Sequence, residues 1–193
     1  MNSSLTIRLA TENDAEALLN IYAHYVENTA ITFEYDVPDT DEFARRIRTV
    51  LRTHPYLVAE QNGEPVGYAY ASPFRTRIAY QHAAEMSIYV RQDMRGHGVG
   101  RALYEALEPM LLRQNVFVLY ACVTLAETPD THWTDGSVRF HTRMGYTQVA
   151  KHTLCGYKFS TWYSMIWMEK SIAPRPDAPA PFVRFSEMNG ETE

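Results

Sequence analysis

The chain has 193 residues, 46% of them hydrophobic, and a formal net charge of −5. That is length and apolar content enough for one domain with its own core. The acidic balance argues against nucleic acid or an anionic membrane as the main partner. No apolar run approaches the roughly 18 residues of a membrane span, and the first residues carry no signal-peptide pattern. The two cysteines, Cys122 and Cys155, match no metal-ligand spacing. A cytoplasmic, metal-free protein is the expectation.

Thr6–Leu9 reads as a first strand. Thr11-Glu-Asn-Asp14 is a capping sequence for a helix that buries Ala17, Leu18, Ile21, Tyr22 and Tyr25. Asp39-Thr-Asp-Glu opens a second helix, with Arg45, Arg46, Arg48 and Arg52 further along, as the helix dipole favours. Tyr56–Glu60, Asn62-Gly63 and Val66–Ala71 form a hairpin pattern. A strand then runs to Val90. Beyond the next glycines, Val99, Leu103, Ala106, Leu107, Met110 and Leu111 fall on one helical face. Phe117–Thr124 is an unbroken apolar and β-branched run, so it reads as a strand buried on both faces, with Cys122 a buried thiol. Ser137–Met144 reads as a short helix ended by Gly145. Tyr146–His152 and Trp162–Met168 read as closing antiparallel strands. The domain is expected over 1–172. From Ala173 the chain turns proline-rich and then polar, which predicts a mobile extension over 173–193 without a catalytic part.

The stretch between strand and helix carries the chemistry. Arg95-Gly96-His97-Gly98-Val99-Gly100-Arg101 follows an apolar run and opens a helix. Glycines let backbone approach an anion closely, and the free N–H groups of a helix start attract it. A phosphate-bearing cofactor is therefore expected. A P-loop is excluded, because Arg101 and Ala102 follow the last glycine where lysine and a hydroxyl are needed. The dinucleotide fingerprint needs other glycine spacing and an acidic residue near position 120, which is apolar here. What remains is Arg-x-x-Gly-x-Gly, or a plain glycine-rich cap.

That pattern resembles the acetyl-CoA pyrophosphate loop of the GNAT N-acetyltransferase superfamily. The order of elements from about Leu5 to Glu169 is similar to its fold: α+β, a mixed and mostly antiparallel sheet with one parallel junction and helices on both faces. Within the superfamily the chain resembles the phosphinothricin and methionine-sulfoximine acetyltransferases. The pieces are Ile31-Thr-Phe33-Glu-Tyr, Ala71-Ser-Pro-Phe-Arg75-Thr-Arg77-Ile-Ala-Tyr80, Ala84-Glu85-Met-Ser-Ile-Tyr-Val90, Ser137-Val-Arg-Phe-His141-Thr-Arg143-Met-Gly145-Tyr146 and Gly156-Tyr157-Lys158.

The resemblance implies acetyl-CoA as cofactor, held by Ile88, Tyr89, Val90, the loop from Arg95 through Gly96, His97, Gly98, Val99, Gly100 and Arg101, and by Thr134 and Arg143. It implies an acceptor pocket of Phe33, Arg75, Arg77, Tyr80, Glu85, Ser87 and Tyr157, with Arg77 the stronger of the two arginines. Glu85 is the expected base, because an amine attacks a thioester only after losing its proton. Backbone N–H near Tyr89 or Val90, at a strand bulge, is the expected oxyanion donor. His141 stands where many members place a tyrosine that protonates the leaving thiolate; a helix-face histidine bonded to backbone is the competing reading. With no cysteine in a nucleophile position, transfer is expected to be direct. The resemblance also implies a homodimer.

Two features depart from the family pattern. Thr134 stands where the superfamily has asparagine, and it lacks the amide pair. Residues 125–133 form a longer connection than usual. These departures keep open a CoA-binding sensor or interaction module with decayed catalysis. An acetyltransferase acting on a peptide N-terminus or another amine is a further alternative. A polyamine pocket would need acidic lining, which Arg75 and Arg77 disfavour.

Overall fold

The computed structural model describes residues 4–128 and 130–188. Pro129 of the long connection, residues 1–3 and residues 189–193 of the expected extension lie outside the described residues.

Seven strands form one sheet: β1 (Leu5–Leu9), β2 (Tyr56–Gln61), β3 (Glu64–Pro73), β4 (Ala83–Val90), β5 (Val118–Leu125), β6 (Thr147–Lys158) and β7 (Thr161–Ser171). Their order is β1-β2-β3-β4-β5-β7-β6. Every pairing is antiparallel except β4 with β5. The helices are α1 (Ala15–Asn28), α2 (Thr40–Leu51), α3 (Val99–Arg113), α4 (Gly136–Arg143) and the short α5 (Phe185–Met188). The α+β reading therefore holds, with the parallel junction where the glycine loop predicts it.

The two faces of the sheet carry two cores. On one face α1 and α2 pack over Tyr56, Val58 and Tyr68. The Asp39 carboxylate accepts from Glu42 N at 2.7 Å and starts α2, a cap worth about 1 kcal/mol. On the other face α3 buries Val99, Leu103, Leu107 and Leu111 against Ala69, Met86, Leu119 and Ala121. Ala106 and Met110, and Ala17 of α1, are only half-buried. They lie at the margins of the apolar stripes rather than at their centres.

Two sequence readings change here. β5 is not covered on both faces: Val118, Leu119, Ala121 and Val123 are buried, but Tyr120 is half-buried and the Cys122 thiol reaches the surface. The helices α1 and α2 cover only the β2–β4 half of their face. An apolar run reports strand formation but not which strands a helix reaches. The described part of the extension is also docked along the body, where mobility was expected. Phe185 is buried to 2% exposure, and the fully buried Gln114 donates to Thr53 O at 2.7 Å and Val183 O at 2.8 Å. Two phenylalanines in a polar segment are enough to dock it, and averaged composition hides them.

Candidate active site

The sheet opens at one point. β4 and β5 pair only over Ala83–Glu85 and Val118–Tyr120. Beyond Glu85 the two strands part, and a cleft of about 520 Å³ fills the gap. Its lining comes from the end of β4 (Ile88, Val90), the glycine loop (Met94, Arg95, Gly96), α3 (Gly100), Thr134, one side of α4 (Gly136, Ser137, Arg139, Phe140, Arg143), and Tyr25 and Ile31 from α1 and the loop after it.

Gly96 and Gly98 adopt φ of 79° and 84°, a region costly for any residue with a Cβ. A Cβ built on either would meet nothing within 4 Å. Their role is therefore backbone conformation and an open surface, as an anion cradle requires. Gly100 differs: its Cβ would press on Phe140 at 3.0 Å and Ile88 at 3.2 Å, so it lets α3 and α4 approach. With Arg95, Arg139 and Arg143 at the rim and the N-terminus of α3 at the loop, the cleft fits a diphosphate followed by a long narrow arm.

Strand parity decides which backbone groups face the gap. Arg91 N donates to Val66 O, so odd-numbered N–H groups of β4 turn toward β3. Met86, Ile88 and Val90 turn theirs toward β5. Tyr25 Oη claims Val90 on both sides, donating to its carbonyl at 2.6 Å and accepting from its N–H at 3.1 Å. Tyr89 N–H faces β3, and β3–β4 register runs without a shift from Gly67–Val90 to Pro73–Ala84. The N–H turned into the gap is thus that of Ile88, in a regular strand. The expected donors at Tyr89 or Val90, and the expected bulge, do not match this geometry. The Tyr89 ring is packed edge-on against Tyr22 and Tyr25.

Glu85 sits at the apex, the last paired residue of β4 before the strands diverge. Burial raises its carboxyl above the ordinary glutamate value of 4.5, opposed by the Arg75 charge. Arg75 lies over Phe74 (4.2 Å to the ring centre) and Trp167 (5.1 Å). Of the two arginines, the charge of Arg75 is the one felt at Glu85. Both side chains are exposed, Arg77 at the start of a 3₁₀ turn. Ser87 follows on the same face and pairs across to Tyr70. Phe33 stands against Gly156 and tilts on Tyr163 at 6.4 Å. Tyr80 is 41% exposed beside Phe74, and Tyr157 is 47% exposed beside Trp162.

His141 is not in the cleft lining. It is buried behind it at 4% exposure. Nδ1 lies 2.8 Å from the Ser137 carbonyl, so that nitrogen carries the proton. Nε2 then accepts from the fully buried Tyr104 hydroxyl at 3.1 Å. Burial pushes the imidazole down to about 4. A neutral, enclosed histidine with both nitrogens engaged fits the backbone-bonded reading rather than that of a proton donor.

The remaining expected residues divide. Ile88, Val90, Arg95, Gly96, Gly100, Thr134 and Arg143 line the cleft. Val99 is core, His97 is exposed with Nδ1 3.0 Å from Arg95 O, and Arg101 is exposed. Thr134 Oγ1 accepts weakly from Gly136 N at 3.4 Å. The long connection is a wall: Trp133 Nε1 donates to Thr124 O at 2.8 Å, Asp130 accepts from Tyr163 at 2.8 Å, and His132 O accepts from Ala30 N at 2.9 Å. Sequence reasoning missed Tyr25, Met94, Ser137 and Arg139. Tyr25 lies on the buried stripe of α1, so periodicity could only mark it as core.

Comparison with known proteins agrees with this geometry. Residues 7–167 match the acetyltransferase (GNAT) domain. The chain is 34% identical over 172 residues to a phosphinothricin N-acetyltransferase of Alcaligenes faecalis, covering 86% of this chain and 82% of that protein. It is 30% identical over 177 residues to the L-methionine sulfoximine/L-methionine sulfone acetyltransferase of Salmonella typhimurium, covering 90% and 99%. A phosphinothricin acetyltransferase of Sinorhizobium meliloti, solved in complex with acetyl-CoA, superposes with a TM-score of 0.80 at 27% identity, covering 94% of this chain and 98% of that one. The glycine cradle, the parted strands and these relatives together make the chain a member of the GNAT acetyltransferase family, an N-acetyltransferase that uses acetyl-CoA.

Proposed function

We propose that the enzyme acetylates the primary amine of a small amino acid or amino-acid analogue, of the phosphinothricin or methionine-sulfoximine type, by direct transfer. The observation that carries this reading is Glu85, held half-buried where β4 and β5 part, with Arg75 close enough to oppose the rise of its pKa. One carboxylate with one guanidinium in electrostatic range suits an acceptor that brings an ammonium and a carboxylate.

Bound acetyl-CoA supplies the acyl thioester. Glu85 takes a proton from the acceptor ammonium, directly or through a water, freeing the nitrogen lone pair for the acyl carbon. Ile88 N–H donates toward the oxygen on which negative charge develops. The new C–N bond forms, the C–S bond breaks, and the sulfur leaves as thiol once it has gained a proton. Tyr70, across from Ser87, and Trp167, beneath Arg75, exclude water from the transfer.

The substrates named for the relatives and the match of Glu85 and Arg75 to the family motif support this assignment. The working unit is proposed to be a homodimer in the cytoplasm. Supporting the dimer, β6 and β7 expose Val149 (51%), Leu154 (46%) and Trp162 (56%). The test is acetyl transfer to phosphinothricin, L-methionine sulfoximine and a panel of L-amino acids, read as CoA release. Turnover with at least one of them is expected. Acetyl-CoA binding without turnover of any amine would sink the assignment. Sedimentation of the same sample reads the oligomeric state.

A further inference from the structure

Lys158, at the end of β6, is 2% exposed. Its ammonium donates to three main-chain carbonyls: Val26 O at 2.7 Å, Thr29 O at 3.0 Å and Thr32 O at 2.8 Å. All three donors of the ammonium are engaged, as a buried cation requires. Val26 lies in the last turn of α1, and Thr29 is its C-cap. A cation there also meets the negative end of the helix dipole. Burying an ammonium still carries a desolvation cost of several kcal/mol, and an apolar side chain of similar length would avoid it. What the lysine provides, and an apolar side chain cannot, is a fixed distance to three points of one loop.

We propose that Lys158 is a positioning residue for the acceptor side of the site. Its ammonium ties the end of α1 and the loop after it to the β6–β7 turn, and so holds Phe33, the expected wall of the acceptor pocket. Phe33 directly follows Thr32, the third anchor. Its ring lies against Gly156, two residues before Lys158, so loop and strand interlock at both points. Tyr35 Oη donates to Tyr157 O and adds a third tie. From the other side, Ala30 N donates to His132 O, and His132 stacks on Phe159 at 3.9 Å. Lys158 therefore sits at the centre of a joint between the α1–α2 loop, the β6–β7 turn and the long connection. Ile31 of the tied segment lines the cofactor cleft, but the anion-binding loop lies elsewhere, between β4 and α3, so the clamp acts more on the acceptor than on acetyl-CoA.

This inference rests on the reading of Glu85 as the centre of transfer. The experiment compares full-length Lys158→Met and Lys158→Arg with wild type. Steady-state kinetics with L-methionine sulfoximine, acetyl-CoA affinity by calorimetry, and hydrogen exchange are measured on each. Lys158→Met is expected to raise acceptor KM about tenfold, with kcat and acetyl-CoA affinity within about threefold. Peptides covering 26–35 should exchange faster, and Lys158→Arg should recover part of the loss. An unchanged acceptor KM, or a rise in acceptor KM matched by a comparable loss of acetyl-CoA affinity, overturns the proposal. Should Lys158→Met not fold, Lys158→Arg decides by the same split. If the wild type turns over no acceptor, the functional reading has failed instead. Exchange then still decides the clamp, supported by faster exchange confined to 26–35 and overturned by none.

Discussion

Gly156→Ala is the sharpest probe of the wall formed by Phe33. A Cβ at this position would lie 2.3 Å from Phe33 Cε2, 2.5 Å from Cζ and 2.8 Å from Cδ2. Ordinary contact begins at 3.4 Å, so the ring edge must retreat by about 1.1 Å. Overfilling a packed site costs about 1–3 kcal/mol. Phe33 is half-buried and can swing outward, which places this change near 1 kcal/mol, or roughly 2–4 °C in melting temperature for a domain of this size. Function should suffer more than stability. A group displaced by about 1 Å at a reacting centre can cost up to about a hundredfold in rate, so a rise of about tenfold in acceptor KM is expected. Differential scanning fluorimetry and steady-state kinetics read the two effects. Phe33→Leu removes the ring edge, so Gly156→Ala should cost little stability in that background, with a coupling of about 1 kcal/mol in the double-mutant cycle. If the two changes are additive in melting temperature, the collision does not exist and the wall is wrongly drawn.

Other outcomes follow from the same geometry. Burial raises the Glu85 carboxyl, so the base form appears only above the ordinary glutamate range, and activity should fall on an acid limb displaced upward. Glu85→Gln should remove that limb. Arg75→Ala should move it further up, because the opposing charge is gone; a limb unchanged in both variants would exclude Glu85 as the base. Gly98→Ala forces a Cβ onto a φ of 84°, at a cost of about 1 kcal/mol. It should weaken acetyl-CoA binding in calorimetry without moving acceptor KM by a comparable factor, and equal affinity would contradict the cradle. His54 and His141 are both pushed from 6.5 to about 4 by burial. Their folded values lie below the unfolded ones, so the unfolded chain binds more protons in that window. The stability they confer is complete above pH 6.5 and is lost as pH falls toward 4, by about 3 kcal/mol each. Melting temperature should decline over that range, and His54→Gln, which cannot titrate, should flatten the decline; an identical slope would argue against the buried neutral state.

Much of the fold was legible because its signals are local. Periodic apolar positions marked α1 and α3, Asn62-Gly63 marked the hairpin, and the glycines after Val90 marked an anion loop opening a helix. Cys122 shows where this ends. The run from Phe117 to Thr124 specifies a strand, but whether a helix covers it depends on how far α1 and α2 reach across the sheet. The site divides in the same way. Gly96 and Gly98 stand out by residue type in a strand–loop–helix unit, whereas Glu85 stands out only through the family resemblance. His141 and Arg77 have the residue types that the family motif leads one to expect, yet one is enclosed behind Tyr104 and the other stands in solvent.

What the sequence determined by itself is the βαβ unit and its phosphate-binding loop, because backbone conformation and hydrophobic period act over a few neighbouring residues. The tertiary structure alone decided which N–H of β4 faces the gap, which arginine's charge is felt at Glu85, and that Lys158 grips three carbonyls more than a hundred positions away. Those choices depend on the parting of β4 from β5 and on contacts between segments distant in the chain, and no local pattern encodes the distance between them.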